Sequence, residues 1–296
     1  MEERNGLKYE KLTKGNYKEQ IELIIKKYFD GCKIYDGQYL NNDFSERYLF
    51  FRGQSDFEWD LTPAINREIK NRNKEAKILK EVLEANPSIG RDKLIAYAQH
   101  YDKKTRAIDF TSDFKVALYF ACKKNKDKDG AVYMIGYVPH KITLISSLTI
   151  NLIALMEDEI VKDEELANKL IKNSEYREKY EKRSNEKNVE SICMEYSAYI
   201  NDGFMVVYDY ENEETNERIK KQKGSLFYCG CKYYIGSKYC EEIGHSTNYF
   251  PQYDIHLHEI KNPTGINKLC VKIRIPKELK QDILNCIDLS DEKLGL

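Results

Sequence analysis

The run Gln99-His-Tyr-Asp-Lys-Lys-Thr-Arg-Ala-Ile-Asp109-Phe-Thr-Ser112 passes directly into Asp113-Phe-Lys-Val-Ala-Leu-Tyr-Phe-Ala121, and no other stretch constrains the fold as strongly. Thr105 to Phe110 reads as a short strand. Val116, Ala117, Phe120 and Ala121 recur at the spacing of one buried helix face, and neither glycine nor proline interrupts them. Asp113 stands at the N-cap position. A strand therefore hands over to a helix within a few residues, and His100, Arg106, Asp109, Thr111 and Ser112 gather at the junction. Such a junction leaves backbone N–H groups unpaired and turns the positive end of the helix dipole outward, which suits an anion. The structural alternative is that Arg106 pairs with Asp109 and Thr111 only caps. A second polar cluster upstream, Phe51-Arg-Gly-Gln54, shifts the balance towards a site.

The rest of the chain punctuates itself clearly. Asn16 precedes an amphipathic helix over Tyr17 to Phe29, with Gly31 just beyond. Tyr48 to Gly53 is an apolar strand interrupted by Arg52. A buried arginine needs a partner; Asp56 and Asp60 are the structural candidates, and a phosphate is the functional one. Gly53 would then let a ligand approach the backbone. Pro63 opens a helical segment towards Arg67. Residues 74–85 and Arg91 to Tyr101 read as helices, the second delivering Gln99 and His100 to its C-terminal end, where a protonated histidine gains from the dipole. Later strands are expected over Ala131 to Val138, Phe204 to Tyr208, Ser225 to Cys229 and Leu269 to Ile275. A last helix runs over Lys277 to Cys286. Between about 141 and 203 a short apolar run gives way to dense alternating charge, which reads as a helical insertion or lid with a solvated outer face. Residues 232–265 form an excursion containing tyrosine, glycine and histidine, to which no structure is assigned. Helices early and single strands later argue for a mixed α+β domain rather than a βαβ array.

Composition narrows the function classes. The 296 residues carry 48 basic and 49 acidic side chains, a formal net charge of −1. That balance gives no global electrostatic footprint for nucleic acid, though a local basic groove remains open. No run approaches the twenty apolar residues of a membrane helix, and Met-Glu-Glu-Arg-Asn lacks a signal peptide's apolar region. No membrane association and a cytoplasmic location are expected. The eight cysteines are scattered and are expected to be mostly reduced. Cys229, Cys231, Cys240, His245, His256 and His258 include zinc-type ligands, but their spacing fits no closed module, so no metal is assigned.

Taken in order, Phe51-Arg-Gly-Gln54, Leu61-x-Pro63-x-x-x-Arg67, Ala98-Gln-His-Tyr101, Thr105-Arg106-x-x-Asp109-x-Thr111 and Ala117-Leu-Tyr-Phe-Ala121 resemble the FRG domain, named for its Phe-Arg-Gly motif. Asn216-x-Arg218-x-x-x-Gln222-x-Gly224-x-x-Phe227 and Ile273-x-Ile275-Pro276 resemble its second half. Asp102 stands where the family usually has glycine, and Ala107-Ile108 replaces a leucine pair. The resemblance implies an N-terminal helical segment over 1–45, an FRG domain over 46–286 with the insertion at about 141–203, and a tail over 287–296.

The order of these parts is also similar, more loosely, to arginine-serine-glutamate ADP-ribosyltransferases, implying a split mixed sheet and NAD as substrate. Under that resemblance Arg52, with Gly53 and Gln54, holds NAD, Thr111 and Ser112 brace the nicotinamide ribose, and Gln222 takes the glutamate's place. Breaking the nicotinamide–ribose bond develops positive charge on the ribose, so the site must fix the pyrophosphate and stabilise that charge. Arginine clamps phosphate bidentately, as lysine does not. Glutamine hydrogen-bonds but carries no charge, so Asp109 or Glu217 is the candidate carboxylate. His100 and Arg106 either bind a phosphate-bearing target or order their loop. The resulting expectation is an ADP-ribosyltransferase-like effector of bacterial conflict, in phage defence or as a toxin. It would modify a protein or nucleic acid, and a regulatory partner protein could restrain it. The alternatives are a non-catalytic nucleotide-binding sensor, and a nuclease using His100, Arg106 and Asp109.

Overall fold

The computed structural model describes residues 3–4, 7–37, 46–67, 74–141, 145–158, 160–172, 203–208, 217–235, 253–260 and 270–296. In chain order the first strands are β1 (Glu3–Arg4), β2 (Leu7–Lys11), β3 (Lys33–Ile34), β4 (Tyr48–Gln54), β5 (Ala107–Thr111), β6 (Gly130–Tyr137) and β7 (His140–Lys141). They are followed by β8 (Ile160–Lys162), β9 (Phe204–Val207), β10 (Gly224–Tyr228), β11 (Cys231–Ile235), β12 (Tyr253–Ile260) and β13 (Cys270–Ile275). The helices are α1 (Tyr17–Tyr28), α2 (Glu75–Ala85), α3 (Leu94–His100), α4 (Phe114–Cys122), α5 (Ile145–Leu155), α6 (Asp163–Lys172), α7 (Glu217–Gln222) and α8 (Lys280–Cys286). The mixed α+β class expected from the sequence holds.

Local chemistry accounts for the early elements. The Asn16 side chain accepts from the N–H groups of Lys18 and Glu19 and starts α1. The Asp113 side chain accepts from Lys115 N at 2.9 Å and starts α4. Three outcomes differ from the sequence reading. Residues 1–45 are not only helical, because β2 lies parallel to β13 and extends the sheet. The 232–265 stretch, left without an assigned structure, supplies part of β11 and all of β12, which with β8 make a separate three-stranded sheet. The alternation of Tyr253, Ile255 and Leu257 with Asp254, His256 and His258 is a strand signal that the sequence reading missed. In the 141–203 insertion, α5 is a core helix and not a solvated lid: Ile150, Ile153 and Ala154 are buried, and Asn151 Oδ1 accepts from Ile95 N at 2.6 Å. Most of the alternating-charge stretch lies outside the described residues.

The large sheet runs β1-β2-β13-β6-β4-β5-β10-β9-β7, with β3 beside β4. Along one edge β4 pairs with β6 without a break, from Tyr48 opposite Tyr137 to Gln54 opposite Ala131. The other edge is shared. β3 takes Tyr48 and Leu49, and β5 meets β4 only at Phe51 opposite Thr111. The sheet nearly divides there, and Arg52, Gly53 and Gln54 lie past the last ladder contact. On one side α1, α4 and α8 bury Ile21, Val116, Ala117 and Ile283 against Phe51, Val132 and Ile273. Beyond the seam, α2, α3 and α5 bury Leu79, Leu94, Ile95 and Ile150 against Leu226 and Tyr228.

Gly53 explains how closely α4 approaches. A Cβ on Gly53 would stand 1.8 Å from the carbonyl oxygen of Ala117 and 2.8 Å from Ala121 N. The glycine of the Phe-Arg-Gly motif therefore admits a helix backbone on its Cβ side. Gly53→Ala is expected to destabilise the fold by about 3 kcal/mol or more, since backbone on both sides must move; urea unfolding followed by circular dichroism measures it.

Candidate functional site

Arg52 sits at the seam. Its Nη1 donates to the carbonyl oxygen of Asp109 at 2.7 Å and lies 3.7 Å from the Asp109 carboxylate. The guanidinium thus takes up a carbonyl on β5 where the ladder to β4 has already ended. Neither Asp56 nor Asp60 is its partner; Asp56 is bound instead by Lys128 at 2.6 Å. The Arg52 side chain is 15% exposed, and its buried Nε has no hydrogen-bond partner among the described residues. Burial lowers its pKa, Asp109 opposes that shift, and the charge of Arg67 adds to it. The group stays protonated, so a buried charge here retains unused donor capacity.

A cavity of about 160 Å³ opens beside it, lined by Arg52, Gly53, Asp109, Thr111, Arg218 and Gln222 among others. The three distant stretches singled out in the sequence, 51–54, 99–112 and 216–224, meet on it. Asn216 lies outside the described residues. An adjoining chamber of about 170 Å³, lined by His100, Lys103, Lys104, Tyr208 and Ser225, shares Asp109, Phe110, Arg218 and Gln222 with the first.

Several candidate residues are already committed. The Thr111 hydroxyl donates to the Gln222 carbonyl at 2.6 Å and accepts from Asp113 N at 3.0 Å. It ties α7 to β5. Gln222 Nε2 donates to the carbonyl of Leu294 at 3.0 Å, so residues from the expected tail hold that side chain. Ser112 is buried, its Oγ lacks a hydrogen-bond partner among the described residues, and it lines neither cavity. Gln54 is buried away from both, with Nε2 on the Asp60 carbonyl at 3.3 Å. Asp109 is 59% exposed at its side chain and accepts from Gln99 Nε2 at 3.0 Å. Among the described residues lining the seam cavity it is the only carboxylate.

Arg106 does not reach the site. It is 1% exposed, and Glu75 binds it twice, Nε at 2.8 Å and Nη2 at 2.7 Å, while also accepting from Arg106 N at 2.6 Å. Its Nη1 donates to Cys231 Sγ at 3.2 Å. Burial opposes the charge, but Glu75 outweighs burial and the guanidinium pKa is raised. Arg106 pairs with Glu75 and not with Asp109, and it lines neither cavity. The Cys229-x-Cys231 pair is likewise internal, both thiols buried and the Cys229 pKa raised by burial. Cys240 and His245 lie outside the described residues. Glu75 was missed, although a lone carboxylate on the Ala76-Leu79-Val82 face of a helix was a legible signal of a buried partner.

His100 lines the second chamber, its ring edge-on to Tyr101 at 4.8 Å between centroids. Burial and the charge of Arg218 lower its pKa, with Asp102 opposing. The neutral ring is favoured, against the expected gain from the helix dipole. The turn after α3 explains the departure at Asp102, which has φ of 55°. Its N–H bonds the Gln99 carbonyl at 3.1 Å, and Lys103 N bonds Ala98 O at 3.0 Å, a helix stop that needs a left-handed residue. Glycine is most at ease there, and aspartate is among the few tolerated substitutes.

Residues 47–130 match the family model of the FRG domain. The matched span holds β4, β5, α4 and the turn after α3, and ends before α7 and its Arg218 and Gln222. Comparison with curated proteins and with solved structures gives no match.

Glu75→Gln is expected to cost about 3–5 kcal/mol by leaving a buried guanidinium without its counter-charge, read from thermal and urea unfolding. The double change Glu75→Leu with Arg106→Met should recover most of that loss. Because the folded His100 has a lowered pKa, the unfolded chain takes up the proton first as pH falls below about 6.5. Stability should therefore decline with acidification in that range. His100→Phe should flatten the decline in unfolding midpoints measured between pH 7 and pH 5.

Proposed function

With an FRG domain framing the seam, we propose that this cleft binds NAD and that the protein is an ADP-ribosyltransferase-like enzyme. The reading rests on one observation above all: Arg52 presents a nearly buried, incompletely partnered guanidinium to a cavity at a break in the sheet. Planar donors at such a place suit a pyrophosphate. Asp109 stands within the same cavity and supplies negative charge for a ribose carbon that becomes positive as nicotinamide leaves. Thr111 acts by bracing, because its hydroxyl has both a donor and an acceptor role already filled within the protein. The acceptor under this reading is a protein or nucleic acid, and the setting is bacterial conflict, as the sequence resemblance implies.

A second reading, a nucleotide sensor without turnover, draws on Gln222. Its amide occupies the expected glutamate position and is engaged by Leu294. The nuclease reading gains nothing, since Arg106 is sealed against Glu75.

Incubation with NAD labelled in the nicotinamide ring should release free nicotinamide. Arg52→Ala should reduce kcat/KM by at least about 100-fold, the usual loss for one electrostatic stabiliser. Asp109→Asn separates the two readings: an enzyme loses release while keeping NAD affinity. Saturable, Arg52-dependent binding without any nicotinamide release would establish the sensor. Absence of NAD binding would defeat the enzyme reading, and absence of binding to any nucleotide would defeat the sensor as well.

A further inference from the structure

One short helix stands between the two cavities. Arg218 and Gln222, a turn apart on α7, line both of them, together with Asp109 and Phe110 of β5. Ligand-binding cavities span roughly 300–1,000 Å³, and at about 160 and 170 Å³ neither of these reaches that size alone. The partition is lightly seated. None of the α7 side chains is buried, and its one apolar residue, Ile219, is half-buried against the core. At its start Arg218 meets Asp102 at 3.8 Å, a long pair with a carboxylate that is 91% exposed, which holds little. Elements with so little buried apolar surface open locally at low cost. At its end α7 gives way to β10 through Lys223, whose φ of 46° is left-handed. A lysine is strained in that conformation, so the chain has a pivot there.

A different part of the chain supports the partition. Residues 287–296 follow α8 and are anchored on α4: the Asp291 carboxylate accepts from Tyr119 Oη at 2.8 Å and pairs with Lys123, and Leu294 is buried in the core that contains α4. The same segment then runs alongside α7. The Leu294 carbonyl accepts from Gln222 Nε2 at 3.0 Å. A Cβ on Gly295 would stand 3.4 Å from Lys221 Cδ and 3.7 Å from Arg218 Cα. From these contacts we infer that α7 is a gate and that residues 287–296 are its latch. When the latch releases, α7 swings about Lys223 and the two cavities join into one site of ligand size. The Thr111 hydroxyl on the Gln222 carbonyl and Ser112 N on the Lys223 carbonyl keep the pivot end tied to β5, so the helix turns without detaching. The gate goes beyond the dinucleotide reading and stands without it, because every contact that defines it lies within the protein.

Amide hydrogen exchange on the full chain, free of ligand, tests the gate. In the unaltered protein α7 should exchange at least about tenfold faster than β6, as a locally opening element does. Asp291 is exposed, so its replacement leaves the fold intact. Asp291→Ala should speed α7 exchange about a further tenfold, the effect of losing one hydrogen bond to a charged group, and leave β6 and β13 unchanged. Gln222→Glu sets a carboxylate against the Leu294 carbonyl and should act in the same direction. Gln222→Lys keeps a donor for that carbonyl and should stay near the unaltered rate. Exchange of α7 as slow as that of β6, rates unmoved by Asp291→Ala, acceleration spread over the whole chain, or equal effects of Glu and Lys at position 222 overturns the proposal. Under the dinucleotide reading, added NAD should slow α7 exchange. No slowing counts against that reading, while the ligand-free rates still decide the gate.

Discussion

Two half-sheets meet at a single pairing, Phe51 with Thr111, and the rest of the molecule is arranged around that narrow join. A continued ladder would have consumed the edge of β4 and left no room for a cleft. A complete break would have exposed unpaired carbonyls on β5, each costly if buried. Arg52 resolves the conflict, because its guanidinium satisfies the Asp109 carbonyl and still faces a cavity. Gly53, next in sequence, lets α4 press against β4 from the other side. Thr111 closes the arrangement by tying α7 to the far strand. The Phe-Arg-Gly motif is thus a join built from an apolar anchor, a spanning cation and a helix seat.

Buried cations recur elsewhere, each satisfied differently. Arg106 has a carboxylate in Glu75. Lys280 is 1% exposed and donates to three carbonyls, those of Ser55, Lys124 and Asn125. Burial lowers its pKa, and it fastens α8 to the segments that follow β4 and α4. Lys272 donates to the Trp59 carbonyl and lies 4.4 Å from the Phe57 ring centroid. Each of these contacts joins parts of the chain distant in sequence, so they fix where loops attach. Loss of one partner would strand a charge, which is why such residues tolerate little change.

What the sequence disclosed and what it hid divide along physical lines. The Asn16 and Asp113 caps and the Val116–Ala121 face are local patterns, and α1 and α4 lie where those patterns place them. The grouping of Arg52, Asp109, Thr111 and Gln222 was legible as an ordered set of motifs. Side-chain partners were not, because they depend on packing between elements: Arg106 finds Glu75 across 31 residues, and Gln222 finds Leu294 across 72. The role of Gly53 also needed the position of a helix that begins only at Phe114. β2 went unseen for the same reason, since a short polar-rich strand is defined by its neighbour β13 more than by its own residues.

The hold that Leu294 has on Gln222 has a bearing on synthesis. β13 must insert between β2 and β6 before the first half-sheet is whole, and residue 294 must be made before the α7 side of the cleft is secured. A chain still emerging from the ribosome carries the Phe-Arg-Gly segment long before it carries a finished pocket. The walls of the cleft are therefore joined only when strands and a side-chain contact more than two hundred residues apart have all been made.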